Sequence, residues 1–519
     1  MKNPKFLITL TLFLFILVGF TANASATKWT VLVFLNGDNN LESYGISDFL
    51  EMATVGSSAD IDIIVQFDRA SGYSTANGNW TDCRRFRVTK NMTPDPGNAL
   101  QTLGEVDMGD PQTLADFVKW GINNYPADRY FVDVWNHGGG WTREEGPVIR
   151  DCSNDDSSGN SIGVADGELR GAAQQIYNHL GRKVDLWGFD CCLMHMLEVN
   201  YELKDYVSYM VASEEVEGAN GWDYAAWLDD LDNNPNAGPA TLGQYIAYTY
   251  YQSGDDTQSV SDLSKVNATT SALTDFSLAL IAARAAGHSG TISTILNATQ
   301  DYYISTYIDL YDFTERCYNG SLPTDVHTTA QALMNALDDQ IVCSYNASSH
   351  AASHGVSIYH PSSSSSYDSD YDLLQLSANC SWDEYISNEV PPYQPTGTVH
   401  TENPNVAIPD NNATGVSDTM FISQSKTINE INLYVNIDHT YIGDLKITLA
   451  SPSTTTVIVH NRSGGSADDI EGWYDPELTS YESLSAFNST NCYGTWTITV
   501  SDHANIDTGT LKSWKIEVK

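Results

Sequence analysis

Two stretches of this chain hold side chains fit for nucleophilic chemistry. One reads Trp135-Asn136-His137-Gly138-Gly139-Gly140-Trp141 and offers an imidazole followed by three glycines. The other reads Phe189-Asp190-Cys191-Cys192-Leu193-Met194 and offers a carboxylate followed by two adjacent thiols. A cysteine attacks a carbonyl as its thiolate, yet an ordinary thiol at neutral pH is mostly protonated. An imidazole beside it takes the proton or holds a thiolate–imidazolium pair. Glycines free the backbone to turn N–H groups toward a developing oxyanion. Each stretch alone has a plainer reading: a histidine before glycines as a turn residue, paired cysteines as small buried apolar groups. What joins them is position, because each directly follows an apolar run.

Those runs are the elements that must place the chemistry. Residues 29–35 (WTVLVFL), 61–67 (IDIIVQF), 129–135 (RYFVDVW) and 184–188 (VDLWG) are rich in β-branched and aromatic residues. Continuous apolarity predicts strands buried on both faces. Helix-length segments between them predict an α/β domain, a mostly parallel sheet with helices on both faces. Residues 113–124 and 164–180 read as two of those helices, the second opening near Asp166. Active sites of open α/β sheets lie at the carboxyl ends of the strands. If the third and fourth strands are neighbours, the imidazole and a thiol meet at one sheet edge. From the residues alone, this is a Cys–His hydrolase.

The rest of the chain sets limits. Its 519 residues suit two or three domains. Only 25 Lys and Arg stand against 66 Asp and Glu, a net charge of −41. That excludes nucleic acid as a partner, since little basic surface is left to neutralise phosphates. Lys2 and Lys5, an apolar run over 6–20 and Ala24-Ser25-Ala26 form a signal peptide over residues 1–26, cleaved near Ala26. The run is shorter than the ~20 residues a membrane span needs, so export without a membrane span is expected. The eight cysteines are too sparse for a disulfide framework. Residues 389–403 carry prolines and read as a linker. Beyond them, residues 428–437, 444–449, 495–500 and 511–518 alternate apolar and polar positions, predicting an all-β sandwich over 404–519.

The residues 29–42 (WTVLVFLNGDNNLE), 135–141 (WNHGGGW), 188–199 (GFDCCLMHMLEV) and 212–224 (ASEEVEGANGWDY) resemble four blocks of the clostripain-type peptidases, in the correct order. HGVSIYHP at 354–361 resembles a later strand of that family. The resemblance spans about residues 28–388. It implies a caspase-like fold, His137 and Cys192 as the catalytic dyad, and protein or peptide substrates cut after basic residues, Arg above Lys. The family block runs Asp-Ala-Cys-Leu-Met, so Asp190, Leu193 and Met194 set a register in which Cys192 is the nucleophile. Cys191 then takes the alanine's place. By the family's geometry the backbone N–H groups of Gly138 and Cys192 hold the oxyanion. Asp190 and Asp223 are the candidate carboxylates of the basic pocket, whose wall departs from the family pattern at Glu217-Gly218-Ala219-Asn220. Relatives cut themselves after the catalytic histidine, which points to processing at Arg150, within a polar loop over 141–161.

HTYIGDLKITLASP (439–452), GTWTITVSD (494–502) and DTGTLKSWKIEV (507–518) resemble the P domain of proprotein convertases. This jelly-roll-like module is not catalytic, so His439 and Asp444 are expected to be structural. The resemblances make calcium a candidate ion, although the chemistry requires no cofactor. Residues 368–372 lack the turn glycine of a calcium loop and read as a solvated loop. The expectation is therefore a secreted cysteine endopeptidase of residues 27–388, followed by the linker and a P-domain sandwich. Its rivals are a silent binding protein on the same fold and an enzyme dedicated to processing one partner.

Overall fold

The computed structural model describes residues 26–142, 151–388, 395–474 and 477–519. They form two compact units, divided at residues 390 and 391. In the first unit the apolar runs lie at the heart of a nine-stranded sheet. Its strands are β1 (Thr27–Gly37), β2 (Ile61–Arg69), β3 (Cys83–Arg87), β4 (Gln101–Gly104), β5 (Ala127–Trp135), β6 (Val184–Asp190), β7 (Val207–Ala212), β8 (Gln258–Asp262) and β9 (Ile341–Tyr345). They lie in the order β9-β8-β7-β6-β5-β1-β2-β3-β4. The central five run parallel, and two antiparallel strands finish each edge.

Side chains alternate across a strand, so the continuous apolar runs supply two faces at once. Val31, Val33, Leu35 and Val65 join one core, and Leu32, Phe34, Val132 and Val134 join the other. The helices covering these faces are α1 (Glu42–Val55), α2 (Pro111–Asn124), α3 (Glu168–Leu180), α4 (Tyr224–Asn233), α5 (Pro239–Gln252), α6 (Val266–Ala283) and α7 (Thr324–Gln340). Helices α1, α4 and α5 pack on the first face through Phe49, Trp227 and Ile246. The second face takes α2, α3, α6 and α7 through Phe117, Ile176, Phe276 and Leu333. Helix α3 begins four residues later than its periodicity predicts. Gly167 turns the chain at φ 82°, and Glu168 starts the helix while accepting the N–H of Gly163.

Two further readings are corrected here. Residues 368–372 are not a plain solvated loop: Ser369–Leu373 is a short 3₁₀ turn that sinks Tyr371 fully into the core. The stretch expected to be linker contains a strand, Thr398–Glu402, paired with Gly509–Val518. The second unit is a pair of antiparallel sheets, its inward residues alternating as expected around Val435, Leu449, Trp496 and Ile516. His439 Nε2 lies 3.4 Å from Asp502 Oδ2 with both side chains fully buried, a structural pairing inside the sandwich.

The end of β2 and the start of α1 are tied by one buried ion pair. Arg69 Nε lies 2.5 Å from Glu42 Oε1, with neither side chain reaching solvent. Glu42 Oε2 accepts the N–H of Ser74 at 2.7 Å, and the guanidinium sits 4.7 Å from the Trp80 ring centre. Arg69→Met strands the Glu42 charge and should lower the unfolding free energy of this unit by about 3–5 kcal/mol in a denaturant titration. Adding Glu42→Met should restore most of that loss, because the penalty comes from an unpaired charge rather than from lost packing.

Candidate active site

Strands β5 and β6 are parallel neighbours, with Trp135 opposite Asp190. The histidine and cysteine loops thus leave adjacent strands at one edge, where the N–H of Asn136 donates to the carbonyl of Asp190 at 3.2 Å. They also press together. A Cβ on Gly138 would run into the carbonyl oxygen of Cys192 and lie 2.9 Å from Cys191 Cβ, so a glycine is needed there. Past the cysteines, Leu193 takes φ 65°, a left-handed conformation that a branched side chain rarely adopts. The bend is held from outside: Leu193 N–H donates to Glu215 O at 3.1 Å, and His195 N–H to Ser213 O at 2.8 Å.

The two thiols differ in environment. Cys191 is buried, and its Sγ–H donates to the Val134 carbonyl at 3.1 Å. Cys192 is half-buried, and its Sγ accepts the N–H of Glu217 at 3.3 Å. Burial pushes the Cys192 thiol up to about 11; the Asp190 and Glu215 carboxylates add to this and the Glu217 N–H opposes it. The sulfur therefore stays protonated until a base takes its hydrogen. All eight cysteines are free thiols. His137 is half-buried, and its Nε2 lies 2.8 Å from Asn40 Oδ1. An amide oxygen only accepts, so Nε2 carries the hydrogen and a neutral ring keeps Nδ1 as its basic nitrogen.

Beside the cysteine loop lies a cavity of about 400 Å³, lined by Tyr44, Asp48, Glu51, Asn220, Trp222, Asp223 and Asp255 among others. Asp223 lines it while also capping α4, accepting the N–H of Ala226 at 2.9 Å. Asp190 stands behind this wall: it is 5 % exposed, and a Cβ on Gly221 would come within 2.9 Å of its Oδ2. That oxygen accepts the Trp222 N–H at 3.3 Å and the Tyr224 hydroxyl at 3.0 Å. The hydroxyl also lies 2.7 Å from Asp133 Oδ2. Asp48 accepts the Trp135 indole N–H at 2.7 Å, and Glu217 Oε1 accepts the indole of Trp222 at 3.3 Å. Burial lifts Asp190 to about 6, with Glu217, Trp222 and Tyr224 offsetting it. Burial and then the Asp190 charge raise Glu217 well above the ordinary carboxylate range. Asp48, Glu51 and Asp255 escaped the sequence reading because their meeting is tertiary, and Glu217 was visible there only within the pocket wall at 217–220. Asn40 was visible there only as part of the block at 29–42. Arg150 lies outside the described residues.

Residues 33–388 match the clostripain family. The chain belongs to the clostripain family. Residues 428–518 match the proprotein convertase P domain. Clostripain from Hathewaya histolytica is 31% identical over 224 residues, covering 39% of this chain and 42% of that protein. A calcium-dependent protease from Trichormus variabilis is 41% identical over 103 residues, covering 19% of this chain and 15% of that protein. The chain thus spans less than half the length of each of these relatives. A secreted C11 cysteine protease from Bacteroides thetaiotaomicron, solved with an irreversible peptide inhibitor, superposes with a TM-score of 0.53 at 19% identity. The match covers 69% of this chain and 99% of that one. These likenesses establish a caspase-like fold for the clostripain-family unit.

The acid pocket carries a pH signature. A carboxyl raised on folding favours the protonated form, so its stabilising contribution is complete below the ordinary Asp value of about 3.9. For Asp190 that contribution is lost as pH rises through about 6. Asp190→Asn removes the loss. Compared at pH 4.5 and pH 7.5, its melting temperature should fall less than that of the wild type, and at pH 7.5 it should melt no lower. A steeper fall in the variant would show that Asp190 is a stabilised anion.

Proposed function

We propose that this clostripain-family chain is a secreted cysteine endopeptidase that cleaves after basic residues, Arg above Lys. The observation that carries this reading is the contact of the two strand-end loops through Gly138, with Cys192 the more open of the paired thiols. His137 takes the proton from Cys192, and the thiolate attacks the scissile carbonyl carbon. The N–H groups of Gly138 and Cys192 hold the oxyanion. The imidazolium then protonates the departing amine, leaving a thioester that a water molecule, deprotonated by His137, hydrolyses. His137 relays every proton, and the chemistry requires no cofactor.

The adjoining cavity accounts for the basic preference. Asp223, Asp48 and Glu51 line it, with Asp190 behind, and they crowd negative charge into partly desolvated space. A guanidinium entering there relieves that crowding and can bind carboxylates with two parallel hydrogen bonds, which a lysine ammonium cannot. Export rests on the residues 1–26, of which 1–25 lie outside the described residues. No helix among the described residues is long and apolar enough to cross a membrane.

Cys192→Ala should abolish hydrolysis of peptides with Arg at the cleaved position, whereas Cys191→Ala should keep most of it. The reverse result would shift the register by one residue. Mass spectrometry of the same proteins should find wild type nicked after Arg150 and Cys192→Ala intact. An active wild type that stays whole removes self-processing. Chain unlabelled by an Arg-based thiol reagent would favour the silent binding protein.

Asp190→Asn should lower kcat/KM on Arg substrates by the equivalent of roughly 2–5 kcal/mol, the cost of unmatching a buried charge pair. Its kinetics on a citrulline peptide should barely change. If wild type cleaves Arg and citrulline peptides equally, electrostatic selection plays no part.

A further inference from the structure

The segment after β7 touches the cysteine loop at three points, and charge holds it from behind. The carbonyls of Ser213 and Glu215 accept the N–H groups of His195 and Leu193, and the Glu217 N–H donates to Cys192 Sγ. Main-chain groups make all three bonds on the segment's side, so the place of the segment decides the place of the thiol. Behind it stands His350, which ends a 3₁₀ turn (Ser348–His350) that follows β9. Its Nε2 lies 3.1 Å from Glu215 Oε2, and its Nδ1 lies 2.7 Å from Asp256 Oδ2. Asp256 belongs to the connection between α5 and β8, so one ring joins three separate stretches of chain. Asn346 Nδ2 donates to the His350 carbonyl at 2.8 Å and anchors the turn that carries the ring.

The bonding around the two carboxyls settles their charge. Glu215 Oε1 accepts the Val216 N–H at 2.7 Å and Oε2 accepts the Tyr303 N–H at 3.0 Å, so both oxygens act as acceptors. Asp256 Oδ2 also accepts the Ser349 hydroxyl at 2.7 Å. With an acceptor on each side the ring donates from both nitrogens, and only an imidazolium does so. Among the described residues no Lys or Arg pairs with either carboxylate, which leaves His350 as their countercharge. The Tyr302 ring lies 5.6 Å from the imidazole, but its hydroxyl donates to Glu214 at 2.7 Å and takes no part. Burial raises Glu215, and the Val216 N–H, the His350 charge and the Tyr303 N–H offset part of that rise. Without the cation, two like charges would face each other in poorly solvated space and push apart. That push would act against the bond from the Glu215 N–H to Thr257 Oγ1, 3.0 Å long, which ties the same two stretches.

We propose that His350 is a positioning residue for Cys192, its imidazolium clamping Glu215 to Asp256 and so setting the thiol and the Leu193 turn beyond it. The ring acts through Glu215 and not on the substrate. A nucleophile misplaced by about 1 Å can lose about 10²-fold in rate, so the clamp belongs to kcat. Substrate binding should depend on it far less, because Asp48 and Glu51 reach the cavity from α1, and Asp223 is fixed by its cap on α4. The effect on hydrolysis rests on the peptidase reading; the clamp itself does not.

The test compares full-length wild type, His350→Gln and the double variant His350→Gln/Glu215→Gln. Each is assayed by steady-state kinetics on an Arg peptide and by hydrogen exchange over residues 192–197. His350→Gln keeps a donor but loses the charge. It should lower kcat by about ten-fold or more while changing KM by less than about three-fold. Exchange over 192–197 should quicken in it, while exchange over β1 stays as in wild type. The double variant removes the stranded charge as well. The amide oxygen at position 215 can still accept the Val216 and Tyr303 N–H groups, and the new N–H can donate toward position 350. Most of the lost kcat and of the lost protection should therefore return, whereas a role in packing alone would make two changes worse than one. Unchanged kcat and exchange in His350→Gln would overturn the clamp, and so would a double variant no better than the single one. If His350→Gln does not fold, a folded and active double variant supports the clamp and a second unfolded protein overturns it. An inactive wild type would refute the peptidase reading, and the exchange comparison would still decide this one.

Discussion

The hydrogen-bonded register of β5 against β6 sets Trp135 opposite Asp190, and the candidate site depends on it. Register in a sheet buried on both faces is strongly specified, because a slip of one residue sends every side chain to the wrong side. Here the same slip would carry His137 past the cysteine loop. Contact between the loops is then limited by a single Cβ, since anything larger than glycine at position 138 meets the Cys192 carbonyl. The left-handed turn at Leu193 completes the arrangement. It separates a thiol sealed against Val134 from one that is only half-buried and meets the Glu217 N–H. Such backbone costs of order 1–3 kcal/mol and persists only where neighbouring structure imposes it, as the Glu215 and Ser213 carbonyls do.

Negative charge is the second organising force. Asp48, Asp133 and Asp190 are buried together, with the half-buried Glu217 beside them. Repulsion in so little space is managed by neutral donors, the Tyr224 hydroxyl and the indoles of Trp135 and Trp222. A protein that needed only stability would do better with apolar residues here. On the proposed reading, acids are retained around the cavity because a cationic guest completes them. The same environment raises the Cys192 thiol. On the proposed reading, selecting a cation and activating a thiolate oppose each other electrostatically, and the imidazole supplies what the acids take away.

How much of this was legible in the sequence follows from how local each feature is. Continuous apolar runs with β-branched residues announced the central strands, since burial on both faces leaves no other composition. His137, Gly138, Cys192 and Asp190 were legible because they lie directly beyond those runs. The antiparallel edge strands were not, as Cys83–Arg87 and Gln101–Gly104 are short and polar. Periodicity placed α3 too early because it is blind to the Gly167 turn. Prolines hid the strand at Thr398–Glu402, whose partner lies more than a hundred residues away. The acids around the cavity come from α1, from the ends of β5 and β6, and from residues 217–223. No spacing rule links positions brought together only by the fold.

Residues 36–40 show why one short segment can serve two purposes. Residues 36–40 close β1 and leave it at the carboxyl edge, and four of them, Asn36, Asp38, Asn39 and Asn40, carry polar side chains that bond to their surroundings or remain unmatched. Asparagine supplies both a donor and an acceptor at fixed reach, so it can tie backbone carbonyls from several loops without bringing charge. Asn36, Asn39 and Asn136 converge on the carbonyl of Asn154 and lock the hairpin beside the histidine loop. Asp38 breaks the pattern. Asparagine in its place would avoid an unpaired buried charge, and the surrounding amides show that the fold readily uses it.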